Sequence, residues 1–275
     1  MHQVSRFLTV IAAALLMMLG CTASARAALY AYSYQQTGNY SITGATAGTI
    51  NANSQSSAAQ TAIPSGSDAH SGLFDVLQSY VGPGAGKPPE NQFTAKGQTT
   101  PDYSRGDAFV TSSGFGTNNV AELFLTNPGD AAASGGWSVS IPLTVLQSGA
   151  VSVGFDYANN LTVNHSGSPA GTVQGNFSYT LGIRDASGAS VFTASPSVLN
   201  RNASLTSAGS IVDAGSGSVL LTSPTLPAGA YTLTLSGTEN VLANLVPEPV
   251  SSLAGLGLSW TILIRPHRRR RRTEP

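Results

Sequence analysis

The sequence predicts an all-β fold, specifically an antiparallel β-sandwich or jelly roll with one short helix. Its central part is poor in charged residues and rich in Gly, Ser, Thr, Ala and Asn, so the Leu, Glu and Lys that favour long helices are scarce. Its β-branched and aromatic residues fall in short alternating runs, separated by glycine or proline. Many short strands joined by such turns are typical of sandwiches and barrels.

Ten segments of the central part have strand character. The alternation is clearest in residues 231–235, where it predicts Tyr231, Leu233 and Leu235 on one face and threonines on the other, as in a half-buried antiparallel strand. The predicted strands are 29–34, 39–42, 108–111, 120–125, 136–143, 150–157, 175–183, 190–193, 219–222 and 230–235.

The segments between these strands have the composition of turns and loops. Residues 184–188 (Arg-Asp-Ala-Ser-Gly) indicate a hairpin loop, and the Pro-Ala-Gly sequence at 227–229 precedes the last long strand. Long loops are expected near 43–66, where large apolar residues are sparse, and near 82–100, where prolines and glycines are frequent. The predicted helix covers 68–80, because apolar residues recur there at three- and four-residue spacing.

Residues 1–27 have the three parts of a secretory signal peptide. Arg6 supplies the positive charge, an apolar signal helix follows in 7–19, and Ala25 and Ala27 form a small-residue site for cleavage by signal peptidase. The apolar run is shorter than the roughly 20 residues that cross a bilayer, so it predicts export rather than anchoring. In an alternative interpretation Cys21, the one cysteine of the chain, becomes the lipidated first residue of a lipoprotein.

The charges of the chain are segregated although its formal net charge is zero. The body, residues 28–245, contains five basic and eleven acidic residues and therefore carries a net charge of −6. The balancing positive charge lies mainly near the C-terminus. Because nucleic-acid binding depends on basic side chains that neutralise phosphates, we expect no nucleic-acid partner for the body.

The last thirty residues, 246–275, have a composition of their own. They begin with Val246, Pro247, Glu248 and Pro249, continue with an apolar stretch at 250–264, and end in a basic cluster. As a helix the apolar stretch is about 22 Å long, less than the roughly 30 Å of a bilayer core. It therefore predicts a short transmembrane helix better suited to a temporary than to a permanent anchor. Its interfacial and basic residues are Trp260, Arg265, Arg268, Arg269, Arg270, Arg271 and Arg272.

The order of Val246-Pro-Glu-Pro, a short apolar segment and a terminal arginine run resembles the PEP-CTERM sorting signal of Gram-negative bacteria. The resemblance implies recognition by an exosortase, a membrane-embedded cysteine-type transpeptidase or protease, and cleavage near the Pro-Glu-Pro element. It also implies association with exopolysaccharide production. The sequence departs from the usual pattern at 265–267 (Arg-Pro-His), which interrupts the basic run, and at the trailing 273–275. The alternative interpretation of 246–275 is an ordinary C-terminal membrane anchor.

Residues with catalytic or metal-binding chemistry are few in the body. Its histidines are His70 and His165, and the sequence around His165 (Asn-His-Ser-Gly) is typical of a surface turn. Asp156, Asn159 and Asn160 would supply oxygen ligands for calcium at a strand end, but their spacing matches no EF-hand loop, and a polar turn is the favoured interpretation. We therefore expect no catalytic residue, no metal and no cofactor, and no enzymatic activity.

Two further groups of residues have ambiguous roles. Arg105-Gly106-Asp107 matches an adhesive tripeptide but has the composition of an ordinary turn, and Asp102 lies close before it. Four aromatic residues are candidates for a sugar-stacking platform, although such residues more often belong to the core. These are Tyr103, Phe115, Trp137 and Tyr157.

Taken together, these patterns predict an exported protein of the cell surface or extracellular matrix. The expected path is an inner-membrane-anchored precursor, processed by signal peptidase and an exosortase, and a structural or adhesive product associated with exopolysaccharide. A carbohydrate-binding module is the main alternative, and it requires aromatic residues aligned on one exposed sheet face. A secreted hydrolase is a third, and it requires a cleft with two carboxylates or an activated nucleophile.

Overall fold

The computed structural model describes residues 28–60, 63–71, 94–95, 102–111, 115–167 and 170–246. Within these ranges the chain forms β-strands, and its one helical element is a 3-10 turn at Ser197–Leu199. The strands are β1 (Leu29–Thr43), β2 (Thr46–Ala47), β3 (Asn51–Gln60), β4 (Ile63–Ser71), β5 (Thr94–Ala95), β6 (Tyr103–Thr111), β7 (Gly116–Leu125), β8 (Gly129–Val145), β9 (Gly149–His165), β10 (Gly171–Asp185), β11 (Ser190–Ala194), β12 (Arg201–Leu205), β13 (Gly209–Leu226) and β14 (Gly229–Leu245). The predicted all-β class is confirmed for this part of the chain.

The strands form two sheets, and every pairing between described strands is antiparallel. The first sheet has the strand order β13-β9-β1-β7-β6-β5, and the second has the order β11-β10-β14-β8-β3-β4. In addition β12 pairs with β10, and β2 pairs with β8. Both apolar core clusters contain residues of both sheets, so the sheets face each other as in a β-sandwich.

Several consecutive strands lie in different sheets. Short connections lead from β7 to β8, from β8 to β9 and from β13 to β14, and each crosses from one sheet to the other. Asp102 fixes the first of these corners, because its carboxylate accepts hydrogen bonds from the backbone N–H groups of Thr126 (2.6 Å) and Asn127 (3.3 Å) and from both side chains. The hydrogen-bonded neighbours of a strand are therefore mostly remote in sequence.

One end of the sandwich interior is filled by large side chains. The rings of Trp137 and Tyr179 have centroids 5.9 Å apart, and those of Phe155 and Tyr179 are 5.1 Å apart. Around them pack aliphatic residues of β8, β9, β10 and β14, such as Ile141 and Leu233. We call this group the aromatic cluster.

The other end of the interior is filled by alanines, leucines and valines together with Phe177, and we call it the small-residue cluster. Its alanines are Ala31, Ala58, Ala121, Ala131, Ala133 and Ala243. Close by, the two sheets nearly touch, because a Cβ placed on Gly106 of β6 would lie 2.0 Å from the Ser134 carbonyl oxygen of β8. Small side chains allow this close approach of the two backbones.

A buried polar layer separates the two clusters. It comprises Gln35 of β1, Asn119 of β7, Asn159 of β9 and Glu239 of β14. Along the chain, each of these residues lies between residues that pack in the aromatic cluster and residues of the small-residue cluster. Asn159 donates to the Val198 carbonyl at 2.7 Å. Gln35 donates to the carbonyl of the neighbouring Leu199 at 3.1 Å.

Most predicted strands lie inside observed ones, which are longer. The segments 29–34 and 39–42 are both parts of β1, and the eight others lie within β6 to β11, β13 and β14. The hairpin predicted at 184–188 is confirmed between β10 and β11, where Gly188 adopts a φ of 87° and the Asp185 carboxylate accepts hydrogen bonds from Ser187 and Ala189.

Two local predictions are wrong where the structure describes them. The loop expected near 43–66 contains β2, β3 and the start of β4, because small and polar residues suffice for a strand that packs at the close approach of the sheets. The helix expected at 68–80 is wrong for residues 68–71, which pair with β3 as part of β4. Residues 72–80, and the predicted loop at 82–100 except for β5, lie outside the described residues.

Candidate functional site

Three tyrosines of β1 lie on the outer face of the first sheet. Alternation along β1 directs Leu29, Ala31, Ser33 and Gln35 into the sandwich and Tyr30, Tyr32 and Tyr34 outward. Because β1 lies between β9 and β7, these tyrosines occupy the middle of the sheet. Tyr30 and Tyr34 are partly exposed, whereas Tyr32 is buried.

Two residues of neighbouring strands extend this row of rings. The ring of Phe124 on β7 lies 6.5 Å from that of Tyr30 and 6.1 Å from that of Tyr103 on β6. The rings of Tyr32 and Tyr34 are stacked, with centroids 6.3 Å apart and an interplanar angle of 15°. We call Tyr30, Tyr32, Tyr34, Tyr103 and Phe124 the tyrosine face.

Glu122 of β7 connects the polar groups of this face. Its Oε1 accepts hydrogen bonds from the hydroxyls of Tyr30 (2.7 Å) and Tyr103 (2.9 Å), and its Oε2 lies 2.6 Å from Nε of Arg105. The Glu122 and Arg105 side chains are only 1% and 4% exposed, so a buried ion pair lies beneath the rings. Because breaking a buried pair is costly, these contacts hold both tyrosine rings in fixed positions.

The tyrosines of this face remain protonated at physiological pH. Burial is the main cause that raises the pKa of each, and the charge of Glu122 is the next cause for Tyr30 and Tyr103. For Tyr34 burial raises the pKa to about 12. Its hydroxyl donates to Oε1 of Gln36 at 2.6 Å. The face is therefore aromatic and neutral, and the hydroxyls of Tyr30 and Tyr103 are directed to the buried Glu122.

Polar side chains of β9 border the tyrosine face. Asn160, Thr162 and Asn164 lie directly opposite the three β1 tyrosines in the antiparallel register, and cross-strand partners share a face of the sheet. The Thr162 hydroxyl donates to Oδ1 of Asn160 at 3.0 Å, and Asn164 is exposed. Rings that offer apolar contact thus lie beside amides and hydroxyls that form hydrogen bonds, a combination that suits small polar ligands with apolar faces.

A buried carboxyl group lies on the β6 side of the same outer face. Asp107 pairs with Val120, which in turn pairs with Tyr34, and neither carboxyl oxygen of Asp107 forms a hydrogen bond of good geometry, although the backbone N–H of Ala108 interacts with the group and opposes the rise of its pKa. Its side chain is 1% exposed, and burial raises the pKa of Asp107 to about 9. At neutral pH the group is therefore largely protonated.

A second buried carboxyl group lies in the polar layer inside the sandwich. Both oxygens of Glu239 and both amide atoms of Asn119 are buried and form no hydrogen bond of good geometry, although the Asn119 side chain interacts with the Glu239 carboxyl; Oε1 of Gln35 is likewise buried without a partner. Burial raises the pKa of Glu239 well above its usual range, against a smaller opposing effect of the Asn119 side chain. Such groups typically bind internal water, so the layer is a polar interior rather than an open site.

The three side chains considered as calcium ligands do not converge. Asp156 is exposed on the outer face, whereas Asn159 points into the polar layer, because residues three apart in a strand lie on opposite faces. Asn160 lies four residues from Asp156, about 13 Å along the strand. The oxygens of Asp156 accept hydrogen bonds from Asn39 (2.8 Å) and Ser218 (2.5 Å), which lower its pKa, with Ser218 the larger cause.

His165 is buried, and its prediction as a surface turn residue is wrong. It is the last residue of β9 and is 2% exposed. Its Nδ1 accepts a hydrogen bond from the Gly167 backbone N–H at 3.0 Å, and its Nε2 lies 3.2 Å from the Gly171 carbonyl oxygen. The ring therefore connects the end of β9 to the start of β10.

Arg105-Gly106-Asp107 lies within β6, and its interpretation as a turn is wrong. Arg105 and Asp107 point to the outer face and are buried there, while Gly106 faces the second sheet. An adhesive tripeptide requires exposed charged side chains, and this one has none.

The four aromatic candidates separate into two places. Phe115 and Trp137 belong to the aromatic cluster, and Tyr157 packs against it. Only Tyr103 among the four lies on the tyrosine face. The prediction missed the three β1 tyrosines, although their alternation in residues 29–34 is the period of a strand with an aromatic outer face.

The predicted sorting and cleavage residues lie mostly outside the described residues. Val246 is described; it is 46% exposed, and its backbone N–H donates to the Ala170 carbonyl oxygen at 2.9 Å. Ala25, Ala27, the side chain of His70 and residues 247–275 lie outside the described part of the chain. Among the described residues there is no helix long and apolar enough to cross a membrane. The same residues contain no group of three or more His, Cys, Asp or Glu side chains arranged to hold a metal ion.

Comparison with known proteins found no matching protein-family model and no matching curated protein. Among solved structures, the chain was aligned with a structure of infectious bursal disease virus, Gx strain, at 12% sequence identity. The alignment covers 86% of this chain and 73% of the viral chain, with a TM-score of 0.11. A likeness at that score supports no statement about fold or function.

Proposed function

We propose that this chain is an exported, non-enzymatic protein of the cell surface or extracellular matrix, and that its sandwich binds exopolysaccharide through the tyrosine face. The observation that supports binding is the alignment of five aromatic rings on one face of the first sheet, next to the amides and hydroxyls of β9. A pyranose ring has an apolar C–H face and polar hydroxyls at its rim. The ring faces and the polar border complement these two parts.

The charge of the body indicates which polysaccharide fits. The body carries a formal net charge of −6, which stays negative with Asp107 and Glu239 protonated, and the ion pair of Glu122 and Arg105 leaves the tyrosine face neutral. An acidic polymer would be repelled by such a body. We therefore infer a neutral polysaccharide, whose binding depends on stacking and hydrogen bonds and changes little between low and high salt.

Binding is tested with the exopolysaccharide of the native host, by titration calorimetry or affinity electrophoresis. The double variant Tyr30→Ala with Tyr34→Ala removes the two partly exposed rings of β1, and each loss of about 1 kcal/mol in stacking should weaken binding roughly fivefold. Tyr34→Phe keeps the ring and loses the hydroxyl, so it separates stacking from hydrogen bonding.

Leu242→Ala is the matched control for the tyrosine variants. Leu242 is 45% exposed on β14 of the second sheet, away from the tyrosine face, and its removal should leave affinity unchanged. Equal binding by the wild type and the folded double tyrosine variant would contradict the proposal, as would failure of the wild type to bind any host polysaccharide.

Delivery is a second part of the proposal. The signal helix within residues 1–27 exports the chain, the short apolar helix at 250–264 holds a precursor in the inner membrane, and an exosortase removes the tail near Pro247 to Pro249. In support, β14 ends at Leu245, so cleavage there would leave the last strand intact. Mass spectrometry of secreted material from the host should find a C-terminus in 247–249, and detection of only the intact chain would contradict processing.

A further inference from the structure

The strand β13 forms an edge of the first sheet. It pairs with β9 along most of its eighteen residues, and no other strand of the described part of the chain pairs with it. Alternate residues of β13 direct their backbone N–H and C=O groups away from β9, and these groups are available to another strand. An edge strand this long is a template for pairing with a second chain.

The usual protections of an edge are missing over most of β13. Residues 209–222 contain no proline, lysine or arginine, and the register shift relative to β9 comes only between Thr222 and Thr225. The one charged residue of the strand, Asp213, is paired with Arg201 of β12, with Oδ2 and Nε 3.0 Å apart. Natural edges are commonly blocked by the very features absent here.

Two large apolar residues of β13 are exposed on the same face. Val212 is 65% exposed and Leu220 is 71% exposed, and their even spacing puts both on the outer face of the first sheet. They lie at equal distances, four residues each, from Ser216. The residues around Ser216 are alanine, glycine and serine, so nothing bulky obstructs a neighbouring strand.

We propose that two copies of this chain pair through β13 in an antiparallel register centred on Ser216. In that register Val212 of each copy lies directly opposite Leu220 of the other, so all four exposed side chains become covered in two cross-strand pairs. Asp213 lies opposite Val219, which avoids a contact between like charges. The strand is self-complementary, as an isologous twofold interface requires.

The geometry of such a dimer has a consequence for the proposed function. Opposite residues of an antiparallel pair point to the same side, so the two first sheets become one continuous sheet with both tyrosine faces on one surface. If the tyrosine face binds exopolysaccharide as proposed, the dimer binds one polymer at two points, with a gain in avidity. The dimer itself does not depend on that function.

The register is tested by cysteine cross-linking of the exported chain in a Cys21→Ser background. Ser216→Cys places two cysteines opposite each other, with Cα atoms about 4.5 to 5.5 Å apart, within disulfide range. Mild oxidation should therefore give at least tenfold more covalent dimer than Ser210→Cys, whose two copies would lie about 40 Å apart along the strands. Equal cross-linking at the two positions would overturn the register.

Association is tested by sedimentation velocity over a range of concentrations. Val212→Lys should weaken the dimer at least tenfold, and adding Leu220→Glu should restore it, because the two new charges are opposite in sign and face each other across the interface. Leu242→Lys, the same change on the second sheet, should have no effect. A monomer at all concentrations, oligomers larger than a dimer, or no restoration by the second change would overturn the proposal.

Discussion

The two ends of the sandwich interior are built in different ways. In the aromatic cluster the sheets are separated by rings such as Trp137 and Tyr179, whereas near the small-residue cluster they are separated by little more than their own backbones at Gly106 and Gly135. One end therefore depends on the fit of side chains that can move. The other depends on the absence of a side chain at Gly106 and Gly135, where a Cβ would meet backbone atoms that cannot move without separating the sheets.

Gly106→Ala should have the largest effect on stability. Its Cβ would lie 2.0 Å from the Ser134 carbonyl oxygen and 2.4 Å from that of Ser57, and both are backbone atoms. We expect a loss of more than about 4 kcal/mol in the free energy of unfolding, measured by urea denaturation, or no folded protein. Gly38→Ala is the control, because a Cβ there has no atom within 4 Å. A Gly106→Ala variant of wild-type stability would refute the close approach of the sheets.

Gly237→Ala should reduce stability less, at the aromatic end, and a second substitution should relieve the loss. Its Cβ would lie 2.6 Å from Nε1 of Trp137, a side-chain atom. We expect a loss of about 2 kcal/mol by the same measurement, within the usual cost of overpacking. In a Trp137→Phe background the added methyl group gains room, so the cost should fall by at least half. The same cost in both backgrounds would mean that the obstruction is not the indole ring.

The polar layer between the two ends should make stability depend on pH. Burial raises the pKa of Glu239 and also that of Asp107 on the outer face, the latter to about 9. As the pH rises above about 4, these groups ionise first in the unfolded chain, so the free energy of unfolding falls until the folded-state pKa is reached.

Glu239→Gln and Asp107→Asn should each flatten this decline. We expect the stability of each variant relative to the wild type to increase from pH 5 to pH 8, for Asp107→Asn by up to about 4 kcal/mol, because each pH unit between the two pKa values costs about 1.4 kcal/mol; denaturation at both pH values measures it. Asp185→Asn is the control, because the pKa of this exposed carboxyl is lowered, mainly by Ser187, and its removal should give no alkaline gain. Parallel pH profiles for wild type and the first two variants would show that the groups are ionised in the fold.

The sequence predicted the all-β class and the positions of most strands, because alternation in segments such as 231–235 reports one buried face. It predicted strand ends poorly, since polar residues continue the strands through the polar layer, as Asn159 does in β9. It missed β3, whose inward residues are Ala52, Ser54, Ser56 and Ala58. Their smallness reflects the close approach of two sheets, which no local pattern reveals.

The candidate site was predictable only in part. The tyrosine alternation in residues 29–34 is visible in the sequence. The sequence does not show that Glu122 and Arg105 lie beside these tyrosines. The pairing of β1 with β7 joins segments about 90 residues apart, and many registers are compatible with local composition. The edge position of β13 could not be predicted either, since only the strand order of the sheet shows which strand is an edge.

The last strand of the sandwich, β14, lies in the centre of the second sheet between β10 and β8, and the first strand, β1, is central in the other sheet. The second sheet is incomplete until β14, which ends at Leu245, has joined it, and the first sheet is incomplete until β13, which ends at Leu226, has joined it. Folding is therefore dominated by contacts between distant segments and should be slow. A chain that crosses a membrane N-terminus first would complete this fold only after nearly all of the body has emerged. Folding and passage across the membrane would then finish almost together. A chain that stalls before β14 would leave β10 and β8, the two neighbours of β14, with unpaired edges.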